Sequence, residues 1–123
     1  MIGHIRKLST PFYDKSAGKM DFKTRPALII AQADSSDYVV LPISSVSIRS
    51  NLDPLFDIPI DPAVYPLSNL HHVSYARTHK QTVVHLGEIG GIICDLRTAY
   101  PDLYEEILSA RRTFSAEIDK QNK

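Results

Sequence analysis

A guanidinium and a hydroxyl stand at the ends of two apolar segments, where a rigid strand can hold a reactive group in place. Arg25 directly precedes the apolar run at residues 26–31, and Ser44 directly follows the run at residues 38–43. Arginine offers a planar fork of hydrogen-bond donors that matches phosphate oxygens, and a serine hydroxyl can also bind a phosphate oxygen. These two side chains therefore favour chemistry at a phosphate group.

Other polar side chains near these segments, or in a later basic stretch, are candidates for binding and proton transfer. The candidate substrate-binding groups are Lys23, Ser45, Arg77 and Lys80. Histidine, with an ordinary pKa of about 6.5, is the natural proton donor or acceptor near neutral pH. We choose His79 because basic residues flank it, and His4 is the second choice. The remaining histidines are interpreted as structural: His71, His72 and His85.

Other kinds of site chemistry lack a sequence pattern. HxH, HExxH, CxxC and GxSxG are all absent, so we predict no metal, no cofactor and no serine-hydrolase elbow. Cys94 is the single cysteine and cannot form an internal disulfide. Its apolar neighbours indicate a buried, inert position.

Length and composition predict one globular domain over residues 1–123. The chain has no formal net charge, 43% hydrophobic residues and 23% charged residues, which excludes a disordered tail and a long coiled coil. No run approaches the ~20 apolar residues of a membrane-spanning helix. The N-terminus lacks the apolar core of a signal peptide, so we expect a cytoplasmic protein that does not contact the membrane.

Basic and acidic segments alternate along the chain. Residues 1–33 hold six basic side chains against two acidic ones, and residues 63–87 hold two basic side chains and no acidic one. If the fold brings these two segments together, one face is positive and suits a polyanion. The alternative is that the charges scatter over the surface.

Short apolar or alternating runs predict a β-rich protein. The polar stretch at residues 9–24 predicts a long loop, and Gly87 with Gly90 and Gly91 predicts a turn. Periodicity near 3.6 from Pro101 predicts a terminal amphipathic helix of about five turns, with residues 116–123 as a frayed tail. The predicted strands are residues 2–8, 26–31, 38–43, 56–60, 72–77 and 82–86.

These elements predict a mainly β (α+β) fold: a small, strongly curved antiparallel sheet or barrel followed by a C-terminal helix. Turn residues at 34–37 join two of the strands in a hairpin. An antiparallel pair sets the start of one strand beside the end of the other, so we expect Arg25 and Ser44 to be near neighbours.

The ordered set of motifs resembles the MazF/PemK toxins, the endoribonucleases of bacterial toxin–antitoxin pairs. The motifs are K-x-R-P-A-L-I-I at residues 23–30, P-I-S-S at residues 42–45, and a later R-T pair before a glycine turn and the terminal helix. The resemblance extends over roughly residues 1–115. It implies an SH3-like β-barrel, a homodimer, and metal-independent cleavage of single-stranded RNA. It also implies a protein antitoxin, with which such a toxin binds DNA.

In that family an arginine of the R-P strand and a hydroxyl after the P-I of the next strand form the core of the active site. Those positions fall on Arg25 and Ser44, although the family more often has threonine at the second. The first loop lacks the expected acidic, glycine-rich stretch, to which Asp14 is a loose match. The sequence is therefore that of a divergent member.

RNA can be cut without a metal when its own 2′-OH attacks the adjacent phosphorus. The enzyme must then accept a proton, stabilise the phosphorane and protonate the leaving oxygen. Arg25 suits the second task, Ser44 can bind a phosphate oxygen, and His79 suits proton transfer. Two other functions stay open: a non-catalytic SH3-like module that binds nucleic acid or peptide, and a ribonuclease toxin with an RNA antitoxin.

Overall fold

Antiparallel strands of very unequal length form the sheet of the protein. The computed structural model describes residues 1–46 and 48–123, and all elements below belong to those residues. The strands are β1 (His4–Asp14), β2 (Lys19–Gln32), β3 (Asp37–Ser44), β4 (Asp57–Ile60), β5 (Ser74–Arg77), β6 (Thr82–His85) and β7 (Ile89–Asp95). A short helix α1 (Leu96–Ala99) leads into the terminal helix α2 (Pro101–Gln121).

The sheet has the strand order β4-β5-β3-β2-β1-β7, and β6 also pairs with β3. Strand β3 therefore has β2 on one side and shares its other side between two strands. On that side β6 pairs with residues 37–40, and β5 pairs with Ile43 and Ser44. Pro42 lies between these two ladders, where its missing N–H costs no hydrogen bond.

The sheet is curled into a half-barrel, and α2 follows it at the C-terminal end of the chain. The predicted fold class, a curved antiparallel barrel with a C-terminal helix, is confirmed. The predicted hairpin of residues 26–31 and 38–43 is also confirmed. Pro59 lies in β4, which pairs only with β5, as a proline at a sheet edge requires.

The inner part of β2, at residues 26–31, and the facing part of β3 contribute buried side chains on both faces. On one face Leu28 and Leu41 pack in the main core, which α2 completes with Leu103 and Ile107. On the other face a smaller cluster contains Ala27, Ile29, Val40 and Val84. Double burial explains why both strands are continuous apolar runs rather than alternating ones. Cys94 belongs to the main core, as its neighbours predicted.

The prediction of a long loop at residues 9–24 is wrong. The ladder between β1 and β2 continues outward to the pair Asp14–Lys19, so these residues form a two-stranded arm. At its tip the Asp14 carboxylate accepts from the Ser16 N–H at 2.9 Å, and Gly18 takes a positive φ of 66°. Most of the arm is exposed, so its strands lack the apolar pattern that marks a half-buried strand.

The C-terminal part of the chain differs from prediction in two places. Gly90 and Gly91 lie inside β7 rather than in a turn. A Cβ on Gly90 would lie 3.3 Å from the Lys7 carbonyl oxygen, so glycine permits the close approach of β7 to β1. The terminal helix continues to Gln121, so most of the segment expected to fray is helical. No helix in the described residues is both long and apolar enough to cross a membrane.

Candidate functional site

The hairpin register brings Arg25 and Ser44 together at one end of the curved sheet. Strands β2 and β3 pair Leu28 with Leu41 and Ala27 with Pro42. The recorded ladder ends at Ala27 and Pro42, and extending its register by two residues sets Arg25 opposite Ser44. Both side chains line the same two cavities, with Arg25 exposed and Ser44 half-buried. An accessible guanidinium and a hydroxyl can thus face one oxyanion together.

The larger of these cavities has a volume of about 540 Å³. No Asp or Glu occurs among the described residues that line it, so its charged side chains are all basic. That charge distribution favours a phosphate group. Besides Arg25 and Ser44, its polar lining includes Lys7, Lys23, Ser45, Asn69, His71 and His72.

The second cavity, of about 370 Å³, adjoins the other side of the Arg25–Ser44 pair. Its lining is more apolar, with Leu8, Pro42 and Val84 among the contributors. The pair therefore stands between a basic cavity and a more apolar one, whose lining also includes the carboxylate of Glu88. A phosphate at the pair could have a nucleoside on either side.

Lys23 is held close to the basic cavity by the arm. It lies across the ladder from Thr10, and its Nζ is 4.7 Å from the centre of the Phe12 ring. This cation–π contact restrains an otherwise flexible side chain. Of the predicted substrate-binding residues, Lys23 and Ser45 share the cavity with Arg25 and Ser44.

Arg77 lines neither of these cavities and forms an ion pair with Asp57. Its Nε donates to Asp57 Oδ1 at 3.0 Å, and its Nη2 donates to the Asn51 carbonyl at 3.1 Å. The Asp57 side chain is 1% exposed and also accepts from the Asp53 N–H at 2.8 Å. Arg77 therefore compensates a buried carboxylate.

His79 occupies a pocket of aromatic rings beside the same carboxylate. Its ring centre lies 6.1 Å from the centres of both Phe56 and Phe114. Its Nδ1 is buried without a hydrogen-bond partner, 3.8 Å from Asp57 Oδ1. Neither His79 nor the exposed Lys80 lines the cavities at Arg25.

The direction of β5 explains why the R-T segment misses the site. Ser44 pairs with Tyr75, and Ile43 pairs with Ala76, so the antiparallel strand runs away from Ser44 toward Arg77. The start of β5, not its end, lies beside the end of β3 that carries Ser44. Arg77, His79 and Lys80 therefore line neither of the cavities at Arg25, and their predicted roles stay predictions.

Two histidines that the sequence analysis interpreted as structural line the basic cavity instead. The segment carrying His71 and His72 precedes β5 and is held by a long-range hydrogen bond and a local one. Asn69, at a positive φ of 57°, donates from Nδ2 to the Ile93 carbonyl at 2.7 Å. The Ser74 hydroxyl donates to the carbonyl of nearby His72 at 3.0 Å. No local sequence signal announces the contact of Asn69 with Ile93, because the two residues are far apart in the chain.

His4, the second choice for proton transfer, lies outside both cavities. Burial lowers its pKa, and the positive N-terminus lowers it further, while Asp95 opposes both. Arg6 Nε donates to His4 Nδ1 at 3.3 Å. As for metal ligands, the described residues contain no cluster of three or more histidine, cysteine or acidic side chains.

The fold is similar to that of a solved structure, the Mycobacterium tuberculosis toxin MazF-mt6. The TM-score is 0.55 at 20% sequence identity, over 87% of this chain and 94% of that one. A second solved structure, of an Mtb toxin, has a TM-score of 0.49 at 20% identity, over 82% of this chain and 99% of that one. No protein-family model matches the sequence, and no curated protein matches it. The chain therefore has a MazF-like fold.

The contacts of Arg77 predict a structural role that a stability measurement can separate from catalysis. Arg77→Ala leaves the buried Asp57 carboxylate without its cation, which should cost about 3 kcal/mol of unfolding free energy. We expect the melting temperature to fall by roughly 10 °C. Lys80→Ala removes a neighbouring exposed charge and should change stability by less than about 0.5 kcal/mol. Equal melting temperatures for the two variants would contradict this role.

Proposed function

We propose that the protein is an endoribonuclease toxin that cuts single-stranded RNA at a phosphodiester bound between Arg25 and Ser44. One observation carries the proposal: the hairpin register sets a permanently charged guanidinium opposite a hydroxyl, beside a cavity whose charged lining is basic. The MazF-like fold supports the same function. Metal-independent chemistry is part of the proposal.

The proposed reaction begins with attack of the RNA 2′-OH on the adjacent phosphorus. The O2′–P bond forms, the P–O5′ bond breaks, and the products are a 2′,3′-cyclic phosphate and a free 5′-OH. Arg25 stabilises the charge that builds on the non-bridging oxygens, because its donors are preorganised and it stays protonated. Ser44 donates a hydrogen bond to one of the same oxygens.

The surroundings of the pair suit an RNA strand with its bases unpaired. Nucleosides on either side of the bound phosphate would enter the two adjoining cavities, which a base-paired strand cannot do without unstacking. Lys23 would contact a flanking phosphate from the arm. Ser45, next to Ser44, would contribute a further hydroxyl to the same strand.

The proposal includes a homodimer, a protein antitoxin and growth inhibition in the cytoplasm. A sheet this small has a limited core, and a dimer adds both burial and a longer groove. Light scattering should give about twice 13.8 kDa at micromolar concentration. A monomer under those conditions would contradict the dimer but not the cleavage chemistry.

The central prediction concerns the paired side chains. Arg25→Ala should lower the rate of RNA cleavage by roughly 10²–10³-fold, as loss of a preorganised charge stabiliser does. Arg25→Lys should recover little, because an ammonium cannot bind two oxygens from a planar fork. Ser44→Ala should cost roughly tenfold, the worth of one hydrogen bond. Ser44→Thr keeps the hydroxyl and should stay active.

The control for Arg25 is Arg49→Ala, which removes another exposed arginine, in the short 3₁₀ turn at Arg49–Asn51. Cleavage of a defined RNA is measured with purified protein, and thermal melting checks the fold. A folded Arg25→Ala variant that cuts at the wild-type rate would show that this site is not the active site.

Lys23 and Lys80 give a second, independent comparison. Each loss of a phosphate contact on single-stranded nucleic acid lowers the slope of log affinity against log salt by roughly 0.7. Lys23→Ala should therefore weaken binding and flatten the slope, since Lys23 lines the basic cavity. Lys80→Ala should leave the slope unchanged. Binding titrations of single-stranded RNA over a salt series measure both, and the opposite pattern would place the RNA along the end of β5.

A further inference from the structure

We propose that His71 and His72 together supply the proton transfers of the cleavage reaction, one as general base and the other as general acid. This rests on the proposed function, whose stabilising groups are Arg25 and Ser44. The observation behind it is that both histidines line the basic cavity with those two residues, whereas His4, His79 and His85 do not.

The charged and titratable groups facing this cavity leave little choice for proton transfer. They are Lys7, Lys23, Arg25 and the two histidines, and the described lining contains no acid. Lysine and arginine ordinarily titrate far above neutral pH, at about 10.4 and above 12. A serine hydroxyl is too weak an acid or base to act without a partner. Of these residue types imidazole is the one suited to general acid–base catalysis, and the carboxylate of Glu88 lines the second cavity but not this one.

The segment that carries the two histidines is positioned for such a role. The Asn69 amide ties its start to β7 through the Ile93 carbonyl, and the Ser74 hydroxyl holds the His72 carbonyl at the start of β5. Next along the chain, Tyr75 pairs with Ser44. One short segment thus links the histidines to the hydroxyl beside the proposed phosphate position, and hydrogen bonds hold it at Asn69 and at His72. Their exposed imidazoles remain accessible to that substrate.

In the proposed step the two histidines accept one proton and donate one. One neutral imidazole accepts the 2′-OH proton as the O2′–P bond forms. The other, protonated, donates its N–H to the leaving 5′-oxygen as the P–O5′ bond breaks. The two histidines end in exchanged protonation states, and proton exchange with water restores them after the products leave.

Two variants, His71→Gln and His72→Gln, test the inference on two matched substrates. One is an RNA oligonucleotide, and the other carries sulfur in place of the 5′-oxygen at the cut site. A thiolate leaves without protonation, so the sulfur substrate needs the base but not the acid. Removing general acid–base catalysis typically costs roughly 10²–10⁴-fold in rate. We expect both variants to lose activity on the oxygen substrate and one of them to recover on the sulfur substrate.

The pH dependence of kcat/KM gives a second readout that a purely structural role would not change. The wild type should show a bell-shaped profile, and each variant should lose one limb of it. His85→Gln is the matched control, since His85 is an exposed histidine outside both cavities and should keep the full profile. Thermal melting confirms the fold of all three variants.

The outcomes distinguish this inference from the proposed function. Cleavage that depends on Arg25 but is unchanged in both folded histidine variants would overturn the histidine pair and leave the ribonuclease standing. Loss of activity with no recovery on the sulfur substrate in either variant would also overturn the division into acid and base. If the wild type shows no cleavage that depends on Arg25, the proposed function fails, and this inference fails with it.

Discussion

The register between β2 and β3 is the constraint on which the rest of the structure depends. The paired inner parts of the two strands are buried on both faces, with Leu28 and Leu41 in the main core and Ala27 and Val40 in the smaller cluster. A slip by one residue would exchange every side chain between the two faces. The packing of these clusters therefore fixes the pairing, and the pairing sets Arg25 opposite Ser44. Arg25 can be exposed and Ser44 half-buried because the buried neighbours and the backbone ladders to Leu8 and Tyr75 hold the two residues in place.

The remaining parts of the candidate site come from the elements next to this hairpin. The arm brings Lys23 to the basic cavity, and the segment before β5 brings the two histidines. The Arg77–Asp57 pair lies on the opposite side of β5 from Ser44 and ties β5 to β4. The start of β5 therefore lies beside the candidate site at Ser44, and its end is held to β4 by the Arg77–Asp57 pair.

The sequence predicted the elements whose signals are local. Local patterns predicted the apolar runs of β2 and β3, the turn between them and the 3.6-residue period of α2. The two runs and the turn were enough to predict Arg25 beside Ser44. The arm was missed because most of its residues are exposed. Hydrophobic and polar side chains therefore do not alternate along its sequence as they do in a half-buried strand. Gly90 was assigned to a turn because glycine is typical of turns. Its actual role, the close approach of β7 to Lys7, is a contact between distant residues that the local sequence does not reveal.

The position of His79, outside the cavities that Arg25 lines, shows the same limit at the candidate site. Its basic neighbours made His79 attractive, but Arg77 is engaged by Asp57, a residue 20 positions away in the chain. Which end of β5 meets Ser44 depends on strand direction and register, and the local sequence encodes neither. The charged lining of the cavity likewise emerges only when segments from β1, β2 and the stretch before β5 meet.

The most direct test of the account is cleavage of a matched pair of oligonucleotides by the wild-type protein in excess chelator. One is an RNA containing a cut site mapped on cellular RNA, and the other differs only by a 2′-deoxy sugar immediately before the scissile phosphate. The account predicts that the RNA yields a 2′,3′-cyclic phosphate and a 5′-OH, while the deoxy analogue binds but is not cut. Cleavage of the analogue, or products ending in a 3′-OH and a 5′-phosphate, would contradict it.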